Sequence, residues 1–221
     1  YYVDFLCVHK KYRKKNIAAI LISKVLNDHR NVTKTFIFKK ERTPLPYNYI
    51  SKTNYYYLNL SNISDYKKYK LNFLNSENLD EVYHFINNNS KLHKLFHILS
   101  KKTFRYSYLN SPKKVIVSYV NNYINSVIIF NIIFFKNSTH TYKTIDIENI
   151  YINKMNDDIF NQIIYYAKIN NIDIISCLDI SYNKYFIKKY DMIKSLGIYY
   201  HMYNYNINNH IKKNNINFNF L

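Results

Sequence analysis

Glycine is nearly absent from this chain, whose 221 residues include one glycine, three prolines, two cysteines and no tryptophan. A single glycine excludes the glycine-rich nucleotide loops, which need several glycines at fixed spacing. Two cysteines exclude a disulfide scaffold, and because Cys7 and Cys177 both lie in apolar strand-like runs, we predict buried thiols in a reducing compartment. Acidic residues are also few, 14 against 32 lysines and arginines, which gives a net charge of +18.

Long apolar runs and metal-binding motifs are missing as well. No apolar run approaches the length of a membrane span, and the beginning lacks the pattern of a signal peptide. We therefore expect a cytoplasmic protein without stable membrane insertion. The eight histidines show neither H-x-x-x-H nor Cys/His spacing, which predicts no metal site.

The positive charge indicates an anionic partner, such as a nucleic acid, an anionic lipid or a phosphorylated ligand. Lysines are spread over the whole chain, however, so a biased composition with a solvated surface explains much of the charge equally well. The stretch YKKYK (66–70) has the lysine and tyrosine pattern that stacks on single-stranded nucleic acid. With 26 tyrosines throughout the chain, a surface strand is the favoured interpretation.

Strand and helix patterns alternate along the chain. The first half of the chain is predicted to contain a strand at 2–8, a helix at 15–28, strands at 34–38 and 54–60, and helices at 76–89 and 91–102. A hairpin of KVIVSYV and SVIIFNIIFF around NNYIN follows, and then a strand TIDIENIYI and a helix at 157–170. The last predicted elements are a buried strand IDIISCL, a helix NKYFIKKY and a strand IYYHMYNYNI. The apolar face of the helix at 15–28 consists of Ala18, Leu21, Ile22, Val25 and Leu26. This order predicts a mixed α/β (α+β) fold of two related lobes, 1–72 and 73–221.

Five basic residues follow the first predicted strand within seven positions, in the stretch DFLCVHKKYRKKNIAAILI (4–22). A helix entry presents unpaired backbone N–H groups and a positive dipole end, so Arg13, Lys14 and Lys15 suit a pyrophosphate there. The spacing Arg13-x-x-Asn16-x-Ala18 resembles the R/Q-x-x-G-x-A loop with which GNAT-type acyltransferases hold coenzyme A. Asparagine tolerates the left-handed backbone that glycine adopts in that loop. Taken alone, the loop is equally consistent with a basic, solvated helix entry.

The whole stretch closely resembles the N-F-L-C-V-H-K-K-L-R-S-K-R-x-A-P-V-L-I segment of N-myristoyltransferases, which acylate N-terminal glycine. Further blocks follow in the family's order. TPLP and YYYLNLS resemble V-L-P and Y-W-H-R-S-L-N, CLDISYNKYFIKKY is similar to A-L-D-L-M-E-N-x-x-F-L-x-x-L, YYHMYNY to Y-Y-L-Y-N-W, and the apolar ending INFNFL to G-L-V-L-Q. The resemblance implies two GNAT-like lobes related by a pseudo-twofold axis, the first incomplete because the family's segment before DFLCV is absent.

The same resemblance implies an acyl donor, an acceptor and catalytic groups. Myristoyl-CoA would be the donor substrate, with no permanently bound cofactor, and a protein with a free N-terminal glycine would be the acceptor. The backbone N–H groups of Phe5 and Leu6 would form the oxyanion hole, and the C-terminal carboxylate of Leu221 would be the base. The residues implied to contact CoA are Leu6, Cys7, Val8, Arg13, Lys14, Lys15, Asn16, Ile17 and Ala18. For Cys7 we favour plain strand packing over a nucleophilic role, and for the ending NFNFL a docked segment over a frayed tail.

Three further residues match the family's substrate-binding segments: Tyr57, Asp179 and Asn183. Tyr57 stands where the family has the histidine of Y-W-H-R, and for Asp179 we favour a structural role that ties a strand end to a turn. The resemblance predicts a monomeric glycylpeptide N-tetradecanoyltransferase. The alternative is a non-catalytic GNAT-like remnant that binds a nucleic acid or a protein through its basic surface.

Overall fold

The computed structural model describes residues 2–3, 8–32, 35–45, 48–136, 138–156, 158–203 and 210–217. The strands are β1 (Tyr2–Val3), β2 (Phe36–Glu41), β3 (Ser51–Asn59), β4 (Asn72–Phe73), β5 (Leu95–Phe96), β6 (Lys114–Val120), β7 (Tyr123–Lys136), β8 (Thr141–Ile152), β9 (Ile174–Leu178), β10 (Ile193–Tyr203) and β11 (Ile216–Asn217). The helices are α1 (Ile17–His29), α2 (Leu79–Ser90), α3 (Lys101–Phe104), α4 (Asp158–Ile169) and α5 (Asn183–Lys189).

The chain folds into two compact units. The first comprises the described residues of 1–52 and 197–210, and the second those of 53–196 and 211–219. Each unit therefore combines distant parts of the chain. The lobes predicted at 1–72 and 73–221, and their pseudo-twofold relation, stay predictions.

In the first unit, β2 lies between β1, its parallel partner, and the second half of β10, its antiparallel partner. Phe36, Phe38, Ile198 and Tyr200 are buried there. Of the predicted strand at 2–8, the structure describes β1 at Tyr2–Val3 and has Val8 outside any strand, and residues 4–7 lie outside the described part of the chain.

Helix α1 begins at Ile17, two residues later than predicted, and none of its side chains is buried. Its predicted apolar face is thus present in the sequence but is not packed into a core by the residues that the structure describes. An amphipathic pattern is sufficient to predict a helix, whereas burial also needs an opposing apolar surface.

The second unit contains a sheet in the order β3-β9-β8-β7-β6-β4, in which only β8 and β9 are parallel. Alternate residues of β7 enter two different cores. Ile128 and Phe130 belong to the core that contains α4, and Val127 and Ile129 belong to the core that contains α2. This two-sided burial explains why residues 127–130 of β7 are an unbroken apolar run rather than an alternating one. The mixed α/β fold class is confirmed.

Two local predictions were inaccurate. The hairpin loop is shorter than NNYIN: only Asn121 and Asn122 connect β6 to β7, with φ angles of 50° and 65°. A two-residue turn with two left-handed residues matches the twist of the flanking strands. The helix predicted at 91–102 is wrong: that stretch contains β5 and only the first two residues of α3, which continues beyond it into a π-helix at Arg105–Leu109. Leu95 and Phe96 form β5 because they pair in parallel with β11, and this pairing outweighs the helical pattern of residues 91–102.

Candidate functional site

The basic loop before α1 is held by its own hydrogen bonds. A 3₁₀-helix spans Lys10–Tyr12, and the ring Nδ1 of His9 accepts from the Lys11 backbone N–H at 3.3 Å. The Nε–H of Arg13 donates to the carbonyl oxygen of Val8 at 3.2 Å, which closes the loop onto its own beginning. The side chains of Lys14 and Lys15 are exposed to solvent.

Asn16 adopts the left-handed conformation that the sequence predicts, with φ 62° and ψ 8°. Its side chain makes no capping hydrogen bond to α1, and no acidic residue lies in the first helical turn. The first N–H groups of a helix have no partner within it, and the dipole gives this end a partial positive charge. The entry to α1 therefore combines backbone donors with the exposed cations Arg13, Lys14 and Lys15, a set that suits an anion.

The remaining residues of the predicted CoA segment are only partly described. Val8 and Ile17 are half-buried, and Ala18 is exposed. Phe5, Leu6 and Cys7, which include the predicted oxyanion hole, lie outside the described residues, as does Leu221. The roles assigned to these residues stay predictions.

Residues 216–217 pack into the second unit. Ile216 and Asn217 form β11, which pairs in parallel with Leu95 and Phe96 of β5, and both are buried. Asn217 is the first residue of the ending NFNFL, so the described part of that ending is docked. The four residues after it lie outside the described part of the chain.

Asp179, at the end of β9, connects three parts of the second unit. Its Oδ1 accepts from the backbone N–H of Asn54 at 2.8 Å, and its Oδ2 accepts from the Asn54 amide at 3.1 Å. Oδ2 also accepts from Nζ of Lys213 at 2.6 Å, four residues before Asn217. These bonds confirm that Asp179 ties a strand end, and they also anchor the segment that leads into β11.

The other two predicted substrate residues have different surroundings. Asn183 is fully buried at the start of α5, and neither atom of its side-chain amide has a hydrogen-bond partner among the described residues. Tyr57 lies on β3 opposite Ser176 and is 37% exposed. Asp179 and Asn183 flank the same loop, whereas the structure does not bring Tyr57 into contact with either of them through any described bond.

A buried histidine and serine form a pair that no sequence pattern indicates. Nε2 of His93 lies 2.9 Å from Oγ of Ser181, and Nδ1 lies 3.2 Å from the carbonyl oxygen of Asn89. Burial lowers the pKa of His93, which favours the neutral imidazole. Because the two residues expose only 9% and 4% of their surface, this pair holds the loop after β9 in place rather than meeting a substrate. A separation of 88 positions explains why the sequence alone does not reveal it.

Within the described part of the chain, no helix has the length and apolarity needed to cross a membrane. The same residues contain no cluster of three or more histidine, cysteine, aspartate or glutamate side chains suited to a metal ion. Cys177 is fully buried, and burial raises the pKa of its thiol well above the usual value, as a packed strand residue should show.

Neither a protein-family model nor a curated protein matches the sequence. Solved structures do share the architecture. N-myristoyltransferase of Saccharomyces cerevisiae with bound myristoyl-CoA matches 100% of this chain and 65% of its own, with a TM-score of 0.82 and 14% identity. The same enzyme with myristoyl-CoA and inhibitors matches 100% of this chain and 66% of its own, with a TM-score of 0.83 and 14% identity.

A conserved protein of unknown function from Staphylococcus epidermidis ATCC 12228 matches 85% of this chain and 79% of its own, with a TM-score of 0.59 and 13% identity. The chain has the acyl-CoA N-acyltransferase fold. It spans about two thirds of the length of the yeast structures, 65% in the first of them. At such low identity the likeness concerns the fold alone.

Proposed function

We propose that this chain binds myristoyl-CoA and transfers the myristoyl group to the N-terminal glycine amine of a protein. The observation that carries the proposal is the entry to α1, where Asn16 takes the left-handed conformation beside Arg13, Lys14 and Lys15. This chain has the acyl-CoA N-acyltransferase fold, and the sequence resemblance assigns the residues of this entry to CoA binding. The backbone donors and the cations would hold the pyrophosphate.

In the transfer step, the ammonium group of the acceptor glycine gives one proton to the carboxylate of Leu221. The neutral nitrogen then bonds to the thioester carbon, the C–S bond breaks, and the second proton lost by nitrogen neutralises the departing thiolate. The N–H groups of Phe5 and Leu6 would stabilise the charge that develops on the carbonyl oxygen, because fixed donors need no reorganisation during the reaction.

The docked position of β11 supports the assignment of Leu221. A terminal carboxylate acts as a base only if the chain before it is held in place, and most termini are poorly ordered unless tied down. Lys213, Ile216 and Asn217 provide such anchoring up to four residues before Leu221. For the acceptor peptide we retain Tyr57 and Asn183 as proposed contacts, whereas Asp179 would act by positioning Asn54 and Lys213.

The experiment that tests the proposal measures acyl-CoA affinity against salt concentration for the triple variant Arg13→Ala/Lys14→Ala/Lys15→Ala. A matched control, Lys68→Ala/Lys70→Ala/Lys91→Ala, removes the same charge from exposed positions of the second unit. We expect the first variant to lose about tenfold or more in affinity and to flatten the salt dependence, and the control to change little. Equal affinities for the two folded variants would refute the assignment of the loop.

A second candidate is the non-catalytic remnant that binds an anionic macromolecule. The exposed Lys10, Lys11, Lys14 and Lys15 of the loop favour it, because such a cluster contacts any phosphate backbone. Binding of RNA with a steep salt dependence, unaffected by competing CoA, would support this candidate over acyl transfer.

A further inference from the structure

The last part of β7, residues 131–136, has a strand edge that no described strand covers. Strand β6 pairs with β7 only as far as Lys114, which lies opposite Phe130. Beyond that point β7 is paired on its other side alone, where β8 follows it to the pair of Lys136 and Thr141. No backbone hydrogen bond joins residues 131–136 to any other described segment. This segment, the free edge of β7, therefore presents unpaired N–H and C=O groups at strand spacing.

The side chains of the free edge are mostly apolar and partly exposed. Its sequence NIIFFK has no proline and one charge, at Lys136. Phe134 is 67% exposed and Phe135 54%, and Ile132 and Ile133 are half-buried. Natural proteins protect such edges with charges, prolines or very short strands, and the outermost strand of this sheet, β4, is only two residues long. The free edge of β7 lacks such protection along most of its length, which indicates an interaction surface.

The backbone groups of the free edge need another strand as their partner. A helix bonds its own N–H and C=O groups internally, and a lipid tail has none to offer. An extended strand supplies both groups at the spacing of this edge. The free edge is itself such a strand, and its isoleucines and phenylalanines form favourable cross-strand pairs. In place of the monomer that the sequence resemblance predicts, we propose that two copies of this chain pair antiparallel through their free edges about a two-fold axis.

Symmetry and the position of β6 limit the register of this pairing. A two-fold axis that extends the sheet is perpendicular to it, so each side chain stays on the same face in both copies. Because side chains alternate between the faces of a strand, only residues an even number of positions apart meet across the axis. An axis at Ile133 would place Lys136 of the second copy opposite Phe130, where Lys114 already lies. An axis at Phe134 avoids this overlap, and an axis nearer the end of β7 pairs fewer residues.

An axis at Phe134 brings compatible side chains together. Phe134 faces Phe134 of the second copy, and Ile133 faces Phe135 on both sides of the axis. Aromatic pairs and aromatic–β-branched pairs stabilise antiparallel strands. Lys136 faces Ile132, along which its methylene groups lie while the ammonium reaches solvent. The pairing thus covers the most exposed side chain of the free edge at its centre and places no like charges opposite each other.

Sedimentation velocity of the whole chain over a concentration series tests the association. We expect a monomer–dimer equilibrium with a dissociation constant of roughly 1–100 µM, because so short a contact is at the low end of protein interfaces. Phe134→Lys places two ammonium groups opposite each other and should raise this constant at least about tenfold. The matched control is Tyr123→Lys, since Tyr123 lies on the same strand and is 77% exposed, but β6 covers its edge at Val120. The control should associate as the unaltered chain does.

Two further variants test whether Phe134 faces its own copy. Phe134→Glu alone should be monomeric like Phe134→Lys, and a mixture of the two should associate, because opposite charges then meet. Phe134→Cys should form a disulfide between copies under mild oxidation, since opposite residues of antiparallel strands have Cα atoms about 4.5–5.5 Å apart. Phe135→Cys should form far less, because its counterpart lies two residues further along the second strand.

A chain that stays monomeric at every concentration would overturn the proposal. A dimer that Phe134→Lys leaves intact would use another surface and would overturn it as well. Cross-linking of Phe135→Cys but not of Phe134→Cys would contradict the register, and growth beyond the dimer would exclude a closed two-fold contact. The proposal goes beyond acyl transfer and does not depend on it, because every measurement is made without acyl-CoA.

Discussion

Helices α1 and α4 are nearly equal in length, 13 and 12 residues, yet their surroundings are opposite. No side chain of α1 is buried, and Ile20 is 62% exposed. In α4 six side chains are buried: Ile159, Phe160, Ile163, Ile164, Tyr166 and Ala167. Apolar packing thus holds α4 in place, whereas the apolar residues of α1 are at most half-buried, as at Ile22 and Leu26.

The contrast extends to the polar residues. In the first unit, the basic loop carries its charges in solvent, where they remain able to meet an anion. In the second unit, Asp179, His93 and Ser181 are buried and satisfied by protein partners. The first unit thus offers exposed charge suited to a soluble ligand, and the second offers fixed polar groups that hold the chain before the C-terminus.

The largest effect should follow from a change at the C-terminus. Adding a few residues after Leu221 moves the carboxylate while leaving the basic loop untouched. Acyl transfer should then fall about 10²–10⁴-fold, as for loss of a positioned general base, with acyl-CoA affinity nearly unchanged. Rates and affinities measured side by side check this. Leu221→Gln keeps the terminal carboxylate and should have little effect, and an extended chain that transfers at the normal rate would exclude this mechanism.

The next largest effect concerns Asp179. In Asp179→Asn the new amide nitrogen would face either the backbone N–H of Asn54, or its side-chain amide together with Lys213, and all of these groups are donors. The free energy of unfolding should fall by about 2–4 kcal/mol, because a buried network loses its acceptor. The matched control is Asp28→Asn on α1, whose pair with Lys24 is 3.7 Å long and exposed, and which should change stability by less than about 0.5 kcal/mol. Chemical denaturation of both variants measures the two losses in the free energy of unfolding. Equal losses would contradict the structural role of Asp179.

Much of this contrast was predictable, and the rest depends on contacts between distant residues. The left-handed Asn16 and a hairpin between β6 and β7 follow from local backbone chemistry, although the predicted loop is three residues longer than the turn at Asn121–Asn122. The burial of residues 127–130 in β7 follows from their unbroken apolar run. The pairing of β5 with β11 and the contact of His93 with Ser181 join residues about 90 to 120 positions apart, and no local pattern encodes them. The exposure of α1 depends on which residues pack against it, and the sequence of the helix alone does not predict them.

The third prediction concerns the pH dependence of stability, in which the two buried histidines, His201 and His93, should differ. In the first unit, Nδ1 of His201 donates to the Asn48 carbonyl at 3.3 Å, and Nε2 accepts from the Leu45 N–H at 3.2 Å. Protonation places a donor against that N–H, whereas protonated His93 keeps both of its bonds by donating to Ser181. Burial lowers the pKa of both histidines below the usual 6.5.

Because the unfolded chain binds protons more readily than the folded one, stability should be full above about pH 6.5 and fall as the pH is lowered, by at most about 1.4 kcal/mol per pH unit for each histidine. His201→Gln should flatten this dependence more than His93→Gln does. Denaturation midpoints between pH 7.5 and 5 test the order of the two variants. A steeper dependence in His201→Gln than in the unaltered chain would contradict the assigned tautomer.

The smallest effect concerns two of the left-handed asparagines, one from each unit. Asn16 begins α1 with φ 62°, and Asn122 ends the β6–β7 turn with φ 65°. Replacement by alanine should cost about 1 kcal/mol at either position, since a Cβ disfavours this conformation, whereas replacement by glycine should cost little. Only changes at Asn16 should also affect ligand binding. Asn16→Ala should lower the affinity for acyl-CoA severalfold, and Asn16→Gly should preserve it. Asn122→Ala should lose a similar amount of stability. If it also lowered the affinity for acyl-CoA as much as Asn16→Ala does, the left-handed entry to α1 would have no specific part in binding.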